Sequence, residues 1–221
     1  MTRRHLHATT CSDINGAQPM MMWNLPKSFL AASLLALSFG VTPALAEPDY
    51  DELVLGNPDA AVTVVDYSSL TCPACAKFHN DTLPRIKQEY VETGKIKFVF
   101  KDMPLDSPAA AAAMLARCAG PDARMGLLDL LFAEQPRWRK GATGEEFLNN
   151  LTGLLEGAGL SKEESEACMA DEKLFKAVLD EREQGVSVDK VEATPTIIVN
   201  GEKHTGALSY DELKKLIDAQ L

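Results

Sequence analysis

A β-branched run, Val62-Thr63-Val64-Val65-Asp66-Tyr67, hands over after four residues to Cys72-Pro73-Ala74-Cys75. The run is bounded upstream by Asn57-Pro58-Asp59 and reads as a buried strand. Pro73 suits the first turn of a helix, and Thr71 is the candidate N-cap. The chain must therefore turn from strand to helix with two cysteines one helical turn apart. That helix is expected to run to about Tyr90, with Phe78, Ile86 and Tyr90 on one side and a kink at Pro84. Gly94 closes it, and Ile96 to Phe100 forms the next strand.

From Pro108 to Gly185 the pattern is helical throughout. Ala109 to Ala113 are strong helix formers, and Thr143/Glu146 and Ser161/Glu164 have capping-box spacing. Strand signals return at Thr196-Ile197-Ile198-Val199, followed by the hairpin turn Asn200-Gly201 and a short strand around Lys203-His204. Ser209 and Glu212 open a last helix. The order β-α-β, helical block, β-β-α implies an α/β fold. It has one mixed sheet with helices on both faces and an all-helical insertion over residues 108–185.

Residues 1–46 read as a secretory signal peptide. Phe29 to Val41 is an uncharged apolar run, Lys27 precedes it and Ala44-Leu45-Ala46 supplies a cleavage site. Met20, Met21 and Met22 are alternative starts, so residues 1–19 are read as a start-site artefact. The pair Arg3-Arg4 lies too far from the apolar run for a twin-arginine signal. The mature domain is then 47–221. It keeps 19 Lys+Arg against 31 Asp+Glu, and this acidity disfavours nucleic acid as a partner.

Cleavage removes Cys11 and leaves Cys72, Cys75, Cys118 and Cys168, an even number for an oxidising compartment. The Cys-x-x-Cys pair fits a redox disulfide or half of a zinc site. Zinc would need two more ligands, and apart from the other cysteines the mature chain offers only His79 and His204, with no second Cys-x-x-Cys. We expect no metal and no cofactor. A sulfur at a helix N-terminus is favoured as a thiolate by unpaired N–H groups and the helix dipole. Cys72 is thus expected to be the exposed, exchanging sulfur and Cys75 the buried resolving one. Cys118 and Cys168 either form a staple within the helical block, serve as a second redox pair or remain buried thiols. Trp138, among Arg137, Arg139 and Lys140, is either a contact surface or a solvated helix end. Met103, Met114 and Met125 are expected to be core filler.

Three segments, 62–75 (VTVVDYSSLTCPAC), 95–102 (KIKFVFKD) and 193–201 (ATPTIIVNG), resemble the DsbA-like branch of the thioredoxin superfamily. The resemblance extends over nearly all of the mature chain. It implies a thioredoxin-like fold and a periplasmic protein disulfide oxidoreductase acting on reduced or unfolded secreted proteins. It also implies a cis peptide at Thr194–Pro195, where substrate backbone binds beside the disulfide. Pro73, Ala74 and Lys101 are expected to tune the site. The family places an acid where Asp66 stands, to relay the proton of Cys75; the other reading of Asp66 is a pair with Lys101 on the neighbouring strand. In the oxidase reading a DsbB-like membrane protein restores the disulfide. The alternative is a reductase or isomerase kept reduced by a DsbD-like donor. Ala74 carries no group to stabilise a thiolate, and Thr194 also occurs in isomerase relatives. The roughly 25 residues between leader and Cys72 leave no room for an isomerase-type dimerisation domain.

Overall fold

The computed structural model describes residues 49–221; the leader and Cys11 lie outside them. Among the described residues the strands are β1 (Leu53–Gly56), β2 (Val62–Ser68), β3 (Ile96–Asp102), β4 (Thr196–Val199) and β5 (Glu202–Thr205). They form one sheet in the order β1-β3-β2-β4-β5, in which only β2 and β3 run parallel. The β2–β3 crossover contains α1 (Pro73–Lys77) and α2 (Leu83–Ile86), each followed by a π-helical stretch, Phe78–Thr82 and Lys87–Val91. Pro84 has no N–H to continue the ladder, and the helix widens one turn before it, with Leu83 N–H bonding to Phe78 O. The kink expected at Pro84 thus takes the form of π turns.

Alternation along β2 divides its side chains between two environments. Val62, Val64 and Asp66 point with Phe98 and Phe100 of β3 into the main core, which also holds Phe78, Leu83, Ile86 and Tyr90 from the crossover. Val65 and Tyr67 face the other way, onto Met103, Val191 and Ile198. β1 had no counterpart in the sequence reading. It is a four-residue antiparallel edge whose partner, β3, lies about forty residues on.

The helical insertion comprises α3 (Ser107–Cys118), α4 (Pro121–Ala133), α5 (Gln135–Trp138), α6 (Gly144–Glu156), α7 (Lys162–Met169) and α8 (Glu172–Ser187). The capping box at Ser161/Glu164 forms in full; at Thr143 only the hydroxyl half does, and Glu146 bonds Ala142 N–H instead. α8 returns across the Tyr67 side of the sheet. A Cβ on Gly185 would lie 2.9 Å from Tyr67 Cε1, so glycine is what permits this approach. The hairpin turn has φ +46° at Asn200 and +88° at Gly201, and α9 (Tyr210–Asp218) closes the chain behind its Ser209 capping box.

Two features of the insertion escaped the sequence reading. Trp138 is fully buried, its Nε1–H donating to Leu131 O at 2.7 Å, while Arg137, Arg139 and Lys140 are exposed. The indole therefore belongs to the core, which rules out an aromatic contact surface. Arg117 and Arg124, both fully buried, share Asp102 Oδ2 at 2.8 and 2.9 Å; Arg117 also pairs with Glu181 and Arg124 with Asp49. This cluster ties the insertion to the end of β3, its charges satisfied by one another.

Cys118 of α3 and Cys168 of α7 are disulfide-bonded, with Cα atoms 6.1 Å apart and a sequence separation of 50. Closing a loop of that length restricts the unfolded chain by on the order of 4 kcal/mol. We expect the double Cys→Ala variant to unfold at a lower urea midpoint by a corresponding amount, with exchange at Cys72 retained. An unchanged midpoint would mean that the helices hold without the staple.

Candidate active site

Four residues after the end of β2, Cys72 occupies the N-cap of α1 with extended backbone (φ −81°, ψ 120°), and its Sγ accepts the Cys75 N–H at 3.4 Å. Thr71 had been expected to cap this helix. It is buried and instead turned toward the Ser69 hydroxyl at 3.3 Å, so the Cys72 sulfur itself satisfies the helix terminus. Pro73 follows at the first helical position, where a missing N–H costs nothing, and Pro73 and Ala74 are exposed. Cys75 Sγ lies one turn inside and accepts from Ser69 N–H at 3.5 Å.

The second half of the site arrives through sheet register. β4 pairs antiparallel with β2, placing Thr196 opposite Tyr67, so the residues just before β4 extend past the end of β2 toward Cys72. The Thr194–Pro195 peptide is cis, and Thr194 O lies 3.4 Å from Cys72 Sγ. Pro195 is buried and Thr194 half-buried. From the insertion comes Gln135, a residue the sequence reading passed over. Its side-chain N–H groups donate to Leu70 O at 2.8 Å and Cys72 O at 3.0 Å, holding the turn by its carbonyls.

Cys72 retains 8% of its surface and Cys75 none. Cys72 is thus less open than the sequence led us to expect, because Thr194 and the turn lie against it on one side. The two thiols are driven apart chemically. A hydrogen bond from the Cys75 thiol, helped by Thr194 and by the N–H groups of Cys75 and Ala74, outweighs burial and lowers the Cys72 pKa to about 5. Burial pushes the Cys75 thiol well up, reinforced by its hydrogen bond to Cys72 and the negative charge of Asp66.

Asp66 is fully buried at the end of β2. Its Oδ1 accepts from the Ser68 hydroxyl at 2.6 Å, and its Oδ2 lies 2.8 Å from His79 Nε2. The pair with Lys101 does not form. Lys101 stands opposite Tyr67 in the β2–β3 register, whereas Asp66 stands opposite Phe100, so the two side chains leave opposite faces of the sheet. Lys101 instead pairs with Glu52 and Gln184 and takes no part in the site. His79 is the acid's partner. Its position one turn beyond Cys75 was visible in the sequence, where it had been weighed only as a metal ligand.

Comparison with known proteins places this arrangement among related ones. The thioredoxin family model matches residues 49–219. A Rickettsia bellii protein named "Putative protein-disulfide oxidoreductase" is 30% identical over 77% of this chain, which spans 64% of that relative's length. Disulfide bond formation protein D of Bacillus subtilis is 29% identical, with 76% of each chain covered. Among solved structures, Wolbachia pipientis alpha-DsbA1 superposes with a TM-score of 0.71 at 25% identity, covering 79% of this chain and 92% of that one. Oxidised BdbD from Bacillus subtilis gives 0.64 at 26%, covering 80% and 97%.

Proposed function

The chain belongs to the thioredoxin family, and from that premise we propose that it is an exported thiol–disulfide oxidoreductase that donates the Cys72–Cys75 disulfide to reduced proteins. The observation that carries this reading is the Cys72 sulfur capping α1 with its pKa lowered to about 5 beside a buried partner thiol. In the forward reaction a substrate thiolate attacks Cys72 Sγ, a mixed disulfide forms and Cys75 leaves as a thiolate that takes up a proton. A second substrate thiolate then attacks the substrate's sulfur, and Cys72 departs. Substrate is oxidised by two electrons and the protein is reduced to the dithiol. A sulfur of low pKa is a good leaving group, which favours release of oxidised substrate. Extended substrate backbone would lie along Thr194 and Pro195, beside the sulfur, with the exposed Pro73-Ala74 pair facing it.

In this reading the leader that ends at Ala46 directs export to the periplasm and is removed, and a DsbB-like membrane oxidase regenerates the disulfide. The test uses protein recovered from the exported fraction, expected to begin at Glu47. Its Cys72–Cys75 couple is equilibrated with glutathione and its disulfide offered to reduced, unfolded ribonuclease. We expect a couple well above the roughly −270 mV of thioredoxin and stoichiometric oxidation of substrate thiols. A couple as reducing as thioredoxin's, with no oxidation, would overturn the oxidase direction in favour of a reductase or isomerase fed by a DsbD-like donor.

A further inference from the structure

Directly under the cysteines lies a buried polar pair that exchange at Cys72 does not itself use. His79 and Asp66 side chains have no accessible surface, and Nε2 and Oδ2 are 2.8 Å apart. The imidazole stacks on Phe132 of α4 (ring centres 3.8 Å, planes 22° apart) and meets the rings of Phe78 and Phe100 edge-on at 5.7 Å. On the element carrying it, Cys75 is the ionisable group one turn before; from β2 the ionisable neighbour is Asp66; β3 and α4 present Phe100 and Phe132, which do not titrate. Its other nitrogen, Nδ1, is buried with no hydrogen-bond partner among the described residues.

That orphaned nitrogen is the clue to where the proton sits. A buried N–H without an acceptor is costlier than a bare lone pair, and a second ring proton would add a charge on the apolar side. We propose that His79 is a positioning residue, a neutral imidazole whose Nε2–H holds the Asp66 carboxylate in place to take the proton of Cys75 while leaving the carboxylate's charge uncancelled. The field of that charge already reaches the Cys75 thiol, and an imidazolium at 2.8 Å would largely neutralise it. When the dithiol is reoxidised, the Cys72 thiolate first attacks the oxidant's disulfide, forming a mixed disulfide and releasing the oxidant's other sulfur as a thiolate. The Cys75 S–H proton then passes to Asp66, the Cys75 sulfur bonds to Cys72 Sγ, and the oxidant's remaining sulfur leaves as a thiolate. In the forward direction the proton returns to Cys75. The proposal rests on the disulfide-exchange reading.

Two measurements on the intact mature protein test it. In ¹⁵N-histidine NMR of the reduced protein at pH 7, His79 should show one protonated and one bare ring nitrogen; two protonated nitrogens would overturn the neutral form. In stopped-flow reoxidation by oxidised glutathione, His79→Phe should slow closure of the Cys72–Cys75 bond on the order of 10²-fold near pH 7 and shift its pH profile upward. His79→Gln, which keeps an N–H donor, should restore most of the rate. Equal profiles for wild type and His79→Phe, or failure of His79→Gln to restore the rate when it folds as the wild type does, would refute the positioning role. A wild type inert toward glutathione would instead refute the underlying exchange reading.

Discussion

Replacing Cys72 with Ser abolishes disulfide transfer, a loss on the order of 10³-fold or more, while Cys75→Ser leaves a protein that reacts once and stays bound to its substrate. These outcomes follow from the unequal placing of the two sulfurs. Cys72 keeps an accessible edge and a thiolate at neutral pH, whereas Cys75 is sealed and held protonated. Hydroxyl oxygen at position 72 is not ionised near pH 7 and does not exchange with disulfides. With Ser at position 75 the mixed disulfide on Cys72 has no internal thiol to resolve it, so covalent adducts accumulate and dissolve on adding reductant. Mass spectrometry of the trapped species reads this directly. Adducts attached through Cys75 in the Cys72→Ser variant, in comparable yield, would reverse the assignment.

Lowering the pH from 7 to 5 removes about 2 kcal/mol of the reduced form's stability relative to the oxidised form. The Cys72 thiol is lowered from its ordinary value of 9 to about 5 in the folded dithiol protein. Folding therefore favours the anion: the contribution is complete above pH 9, partial at 7, and lost as pH falls through 5. The upward shift of Cys75 acts only above its ordinary value and leaves this window untouched. Urea unfolding of both redox forms at the two pH values measures the change. The same proton count sets the redox slope. Between pH 5 and 9 the disulfide takes up one proton as it is reduced, so the potential should fall by about 30 mV per pH unit, steepening to about 60 mV below pH 5. A uniform 60 mV slope through neutrality would show that Cys72 is an ordinary thiol.

Much of this architecture was legible along the chain, for local reasons. β2 and β3 announce themselves through β-branched and aromatic runs, the β4–β5 turn through Asn200-Gly201, and α7 and α9 through hydroxyl–glutamate boxes three residues apart. The cysteines were located because strand, turn and Pro73 occur together. What escaped depends on partners distant in sequence. β1 is four residues long and exists through its pairing with β3. The face from which Lys101 projects depends on a register that slips by one residue without leaving a trace in composition. Gln135 reaches the site only because the insertion folds back over it, and the basic residues around Trp138 gave no sign that the ring itself is buried. His79 was in view but weighed only as a metal ligand, since spacing along a helix says nothing of what the neighbouring strand presents.

The order of strands has a bearing on how this protein can fail. Cys72 and Thr194 stand just off the ends of β2 and β4, adjacent ribbons with neighbours on both margins, while the short β1 and the largely exposed β5 lie at the rims. Fraying begins at rims, where fewer bonds must break together. The reacting geometry can therefore outlast partial melting, and its loss should coincide with collapse of the whole sheet.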